Sequence, residues 1–209
     1  MVKIAVFVSG GGTNLQALID CWKTEGLGGG EITAVVSSKK SAYALERAAN
    51  AGIPGYFVSG KGLSVEEYSQ KLDELLEEKI QPDLIVLAGF LKIFSADFCK
   101  KYSGRIINVH PSLIPAFCGD GMYGLHVHEA ALAYGVKLSG ATVHFVSEEC
   151  DGGSIIAQKA VPVMENDTPE TLQRRIMEQA EWKLLPEAVS LFCQGRLSVE
   201  GRTVIIKEN

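Results

Sequence analysis

The chain has 209 residues, 46% of them hydrophobic and 22% charged, a composition that supports a sizeable buried core and excludes a disordered protein. Its net charge is −5 and no block of lysine or arginine stands out, so nucleic acid is not an expected partner, although loops and helix ends can still bind a small anion. Five cysteines, odd in number, scattered and without C-x-x-C spacing, argue against a disulfide framework or zinc knuckle and for a reducing, cytoplasmic setting.

In chain order, Val2 to Val8 reads as a buried strand, too short for a signal peptide and followed by Ser9-Gly10-Gly11-Gly12-Thr13-Asn14. Leu15, Leu18, Ile19 and Trp22 then recur at helical spacing. Ile32 to Ser37 is a second strand, and Ala42 to Ala51 a second helix stopped by Gly52 and Pro54. A short strand at Tyr56 to Val58 precedes a helix with capping-box spacing from Ser64 to Glu67. Leu84 to Ala88 is a strand within the longest apolar stretch, which ends at Phe94 and is too short to cross a bilayer. Ser95 caps a short helix through Lys101, and Ile106 to Val109 is the next strand.

From Ser139 the pattern changes. Ala141 to Val146 and Ile155 to Val161 read as antiparallel strands. Thr168-Pro169 opens one long helix ending near Gly195, and a hairpin spans Val199 to Ile206. The expected fold is a single α/β domain over residues 1–209. It has a Rossmann-like, mostly parallel sheet with helices on both faces and antiparallel strands added in the C-terminal half.

Two stretches carry chemistry. The glycine loop lacks the third glycine of a dinucleotide fingerprint, because that position is Leu15, and no Walker lysine follows. Its backbone N–H groups and the next helix N-terminus suit one phosphate, with Thr13 and Asn14 as added donors; the plain alternative is a tight packing turn. Further on, Asn108 and His110 are two apart in a strand that Pro111 terminates, so an amide and an imidazole share one face where open α/β sheets bind ligands. Asp151, in Cys150-Asp151-Gly152-Gly153, is a candidate third member; a carboxylate beside His110 would raise its pKa, although Asp-Gly is also an ordinary turn. His144 either faces this site or sits in the core, and His126 with His128 lacks a third ligand for a metal.

Four segments are decisive together: Ser9 to Gln16, Leu87-Ala88-Gly89-Phe90-Leu91-Lys92-Ile93, Asn108 to Pro115, and Gly140 to Gly153. In this order the chain resembles the folate-dependent phosphoribosylglycinamide formyltransferase family, within the formyltransferase superfamily. The resemblance implies formyl transfer from 10-formyltetrahydrofolate, a co-substrate, to the amine of glycinamide ribonucleotide in purine biosynthesis, without a metal. It implies Asn108, His110 and Asp151 as the catalytic triad, with His110 protonated and held so by Asp151. Gly12, Thr13, Asn14 and Glu181 would contact the ribonucleotide. Leu91, Lys92, Ile93, Phe94, Val146 and Cys150, with Asn108 and Asp151, would line the folate site. A ribonucleotide-phosphate half (about 1–100) and a catalytic and folate half (about 101–209) follow, in a cytoplasmic monomer or homodimer with no membrane partner.

The chain departs from the family pattern at three places. Lys92 and Val65 stand where family members often carry arginine, leaving Lys61 as a substitute near the folate tail. The stretch from Ala116 to Leu125 is longer than in some relatives, and its glycines suit a mobile loop. Methionyl-tRNA formyltransferases usually add a C-terminal domain and formyltetrahydrofolate deformylases an N-terminal one, and neither extra domain fits this chain. A non-enzymatic nucleotide sensor would explain the glycine loop but leave Asn108, His110 and Asp151 without a joint role.

Overall fold

A computed structural model describes residues 1–208 and builds them around one nine-stranded mixed sheet. The strands are β1 (Val2–Val8), β2 (Gly30–Ser37), β3 (Gly55–Phe57), β4 (Leu84–Leu87), β5 (Ile106–His110), β6 (Leu138–Phe145), β7 (Ile155–Pro162), β8 (Leu197–Glu200) and β9 (Thr203–Ile206). They lie side by side as β3-β2-β1-β4-β5-β6-β7-β9-β8. The first five are parallel, while β6 runs antiparallel to both β5 and β7.

Residues 4 to 8 of β1 are buried throughout, as expected for a central strand covered on both faces. Strand alternation sends Ile4, Val6 and Val8 into one core with Leu15, Leu18, Leu185 and Val189. It sends Ala5 and Phe7 into the opposite core with Leu72, Leu76, Phe98 and Ile106.

The helices are α1 (Thr13–Thr24), α2 (Tyr43–Asn50), α3 (Val65–Leu75), α4 (Ala96–Lys101), α5 (Leu125–Tyr134), α6 (Pro169–Ile176) and α7 (Trp182–Cys193). Ser64 caps α3 in a reciprocal box with Glu67, and Ser95 accepts the Phe98 N–H to cap α4. Helix α5 has no counterpart in the sequence reading: it starts at Gly124 without a side-chain cap, so no start signal precedes it. The long C-terminal helix is also interrupted. A π-helical turn, Met177–Glu181, separates α6 from α7 and places Glu181.

The chain leaves β1 in one direction through β2 and β3 and returns to β4 on the other side of β1. That reversal opens a crevice at the carboxyl ends of β1 and β4, the usual ligand position in such sheets. Ser9 spans it, sharing a hydrogen bond with Ser38 Oγ (2.7 Å) and accepting the Leu91 N–H (2.9 Å).

Gly140 lets the turn after β5 pack on the sheet, because a Cβ there would run into the Lys159 carbonyl and lie 2.8 Å from Leu113 Cδ2. Gly140→Ala is expected to destabilise the fold by about 2 kcal/mol, read as a lower urea midpoint at unchanged slope.

Candidate active site

A cavity of about 1030 Å³ fills the crevice. It is walled by the glycine loop, the segment after β4, the ends of β5 and β6, the 119–124 loop, the Val146–Asp151 segment and one side of the α6–α7 helix. Gly12, Thr13, Asn14, Leu91, Lys92, Ile93, Phe94, Asn108, His110, Val146, Cys150, Asp151 and Glu181 all line it. Val65 and Lys61 do not.

The centre is set by strand pairing. Asn108 and His144 are direct partners across β5 and β6, as are His110 and Thr142. His144 is buried; its Nδ1 lies 2.8 Å from the Phe145 carbonyl, so that nitrogen carries the hydrogen and Nε2 accepts from Asn108 Nδ2 at 3.1 Å. The second Asn108 amide hydrogen is thereby left for the cavity. His144 thus belongs to the site, which alternation alone could not decide.

Beyond His110, the chain turns at Pro111 to Pro115. Thr142 Oγ1 donates to the Ser112 carbonyl (2.7 Å) and accepts from Ile114 N–H (3.1 Å), holding the turn to β6.

Asp151 lies between both imidazoles. Its Oδ2 is 3.5 Å from His110 Nδ1, its Oδ1 is 3.6 Å from His144 Nε2, and Gly119 N–H donates to Oδ2 at 2.9 Å. Burial works to raise its carboxyl, but His144, His110 and that N–H together bring it below its ordinary value.

The expected protonated His110 is corrected. Burial, the largest influence, pushes its pKa below the usual value of 6.5, against the opposing pull of Asp151 and the Phe117 carbonyl. The Asp151 contact is long and that carboxylate already holds the Gly119 N–H, so neutral His110 is the resting form. Its Nε2 donates to the Phe117 carbonyl at 2.9 Å, which brings the 116–125 loop over the ring.

At the other end, Asn14 Nδ2 donates to Glu181 Oε2 at 2.6 Å. Burial lifts the Glu181 carboxyl to about 7 against that bond. Asn14 Oδ1 is buried without a protein partner among the described residues.

The segment after β4 is anchored by Phe90 and Phe94, whose rings lie 5.2 and 6.1 Å from Phe7. Leu91 and Ile93 point outward and are 50% and 61% exposed, so this wall offers apolar surface.

His126 and His128 diverge on α5. His126 is exposed beside Glu129, at 3.1 Å, whereas His128 is wholly buried, with neither ring nitrogen partnered among the described residues. Burial pushes His128 down to about 4.

A phosphate-sized loop, a paired amide and imidazole, and a caged carboxylate at the strand ends of an open sheet define an α/β enzyme that works on a ligand laid across its switch point. The formyl transferase family model matches residues 2–189, and the chain belongs to that family. It is 40% identical to the phosphoribosylglycinamide formyltransferase of Escherichia coli, covering 95% of this chain and 90% of that protein. It is 45% identical to the trifunctional purine biosynthetic protein adenosine-3 of Gallus gallus, spanning 95% of this chain but only 19% of that longer protein. The crystal structure of glycinamide ribonucleotide transformylase 1 from Symbiobacterium toebii superposes with a TM-score of 0.92 at 42% identity, covering 100% of this chain and 95% of that one. No helix among the described residues is long and apolar enough to cross a membrane.

Two titrations follow. Folding raises Glu181 from 4.5 to about 7, so its stabilising contribution is complete below 4.5 and lost as pH climbs through 7. Glu181→Gln keeps the Asn14 bond and should gain stability over the parent at alkaline pH, approaching roughly 3 kcal/mol, with little gain at pH 4.5 in thermal unfolding. Folding lowers His128 from 6.5 to about 4, so stability falls as pH drops through that window. His128→Leu should flatten this acid slope in the same measurement.

Proposed function

We propose that this chain transfers the formyl group of 10-formyltetrahydrofolate to the amine of glycinamide ribonucleotide. The products are formylglycinamide ribonucleotide and tetrahydrofolate, in de novo purine (IMP) biosynthesis in the cytoplasm. The observation that carries the reading is the meeting of Asn108, His110 and Asp151 in one cavity, between a glycine loop suited to phosphate and an exposed apolar wall. The cavity volume, about 1030 Å³, sits at the upper end for a single ligand and accommodates two substrates.

The ribonucleotide phosphate takes the N–H groups around Gly12 and Thr13, and its sugar and glycinamide groups lie toward Asn14 and Glu181. A ligand donor satisfies the orphaned Asn14 Oδ1. The pteridine and its linker lie along Leu91 to Phe94 and Val146 to Asp151, with Lys92 and Cys150 at the margin. No residue among Val65 and Lys61 reaches the lining, so neither is assigned to the folate tail.

The amine lone pair attacks the formyl carbon and the carbonyl becomes an oxyanion, which the free Asn108 amide hydrogen meets. The C–N10 bond then breaks, and the proton lost by the amine must reach N10. With its hydrogen moved to Nδ1 beside Asp151, neutral His110 accepts the amine proton at Nε2 and hands it to N10, and the transient imidazolium is stabilised by Asp151. Because Nε2 carries the hydrogen in this conformation and donates it to the Phe117 carbonyl, the transfer requires the 116–125 loop to withdraw and that hydrogen to shift to Nδ1.

Purified protein given both substrates should release tetrahydrofolate only when the ribonucleotide is present. Asn108→Ala, His110→Ala and Asp151→Ala should each lose on the order of 10²- to 10⁴-fold in kcat while unfolding normally. Since His110 must be neutral to accept the proton, kcat/KM should decline on the acid side only below 6.5, and this limb should vanish in His110→Ala. Near-normal rates in the variants would sink the mechanism, and hydrolysis of the formyl donor without the ribonucleotide would mark a deformylase instead.

A further inference from the structure

We propose that Arg47 is the positioning residue of the phosphate loop, setting affinity for the phosphate-bearing substrate without touching the reacting atoms. The role deepens the formyl-transfer reading and rests on it for the identity of the ribonucleotide.

The argument starts from peptide geometry. In a trans peptide the C=O of one residue and the N–H of the next point to opposite sides of a rigid plane. A loop can aim successive N–H groups at an anion only if the preceding carbonyls are held the other way. Here three successive carbonyls are so held: Gly10 O accepts from Ala44 N–H (3.1 Å), Gly11 O from Arg47 Nε (2.8 Å) and Gly12 O from Gln16 N–H (2.9 Å). The N–H groups of Gly11, Gly12 and Thr13 are thereby turned away from these anchors. They have no protein acceptor among the described residues, and all three residues line the cavity.

Two of the anchors are main-chain bonds. The Gly11 carbonyl depends on one side chain. Arg47 is itself fixed, because Nη1 donates to Gln16 Oε1 at 2.9 Å and its guanidinium lies 5.0 Å from the Tyr43 ring centroid. Gln16 is steadied in turn by donating to Asp20 Oδ1 at 2.8 Å. The packing leaves no slack: Gly12 has φ +71°, and a Cβ there would lie 2.6 Å from Ala44 Cβ. Arg47 also places a permanent positive charge behind the cradle in a chain of net charge −5. Without it, the Gly11–Gly12 peptide is free to rotate and present an oxygen where the phosphate needs a donor.

The test compares the parent with Arg47→Met, which keeps the aliphatic stem, and Arg47→Lys, which restores one donor to Gly11. Arg47→Met should raise KM for glycinamide ribonucleotide roughly 10- to 100-fold, the effect of losing a charge-assisted hydrogen bond. The kcat should stay within about threefold and the KM for the folate should not move. Arg47→Lys should recover most of the loss. Calorimetry with ribose 5-phosphate, against ribose as control, should show the same loss of affinity in Arg47→Met without requiring turnover. Unchanged ribonucleotide KM and ribose 5-phosphate affinity in Arg47→Met would overturn the proposal. So would a rise in both KM values together with a fall in Tm that Arg47→Lys does not reverse. If the parent binds ribose 5-phosphate in an Arg47-dependent way yet transfers no formyl group, the substrate reading fails and the role of Arg47 stands.

Discussion

The antiparallel pairing of β5 with β6 is the contact on which the rest of the site depends. Strand β5 is the last of the parallel run, and β6 approaches it from the opposite direction. This seam sets Asn108 directly across from His144, so one register determines which way the amide and both imidazoles face. A slip of one residue would turn every side chain on β6 to the other face of the sheet. Thr142, two pairs along, binds the turn that ends β5, and the Val146–Asp151 segment leaves β6 directly to return Asp151 against both rings.

Burial then decides the charges. His110, His128 and Glu181 all lie in surroundings that disfavour the ionised form, and of the four groups only Asp151 is shifted toward its ionised form, by the neighbouring imidazoles and the Gly119 N–H. The result is a neutral imidazole beside a fixed anion, poised to take a proton when a reacting amine releases one. An ion pair formed in advance would have no such capacity, because its proton would already be in place.

The other end of the cavity follows a different logic. There the main chain binds and side chains serve it: Ala44, Arg47 and Gln16 hold carbonyls outward, while Ser9 ties the loop to the far bank of the crevice through Leu91. The switch point between β1 and β4 makes this arrangement available, since it leaves two loops facing each other with no strand between them.

Most of the architecture was legible in local signals. The buried run of β1, the Ser64 and Ser95 caps, the Thr168-Pro169 start and the alternation of Asn108 with His110 are properties of neighbouring residues, and each appears in the structure. Helix α5 was not legible, because Gly124 supplies no capping side chain. Nor was the π turn that carries Glu181, which lies within an unbroken helical pattern. The protonation of His110 is not legible in the sequence either, because a neighbouring carboxylate can be inferred from it, whereas the depth at which both groups are buried cannot. The parts of His144 and Arg47 belong to the tertiary structure for a related reason. Each acts through a partner distant in the chain, Asn108 for one and Gly11 for the other. Amino-acid order determined the elements and the residue types on each face; only folding decided which faces meet, and with them the charges and hydrogen bonds of the site.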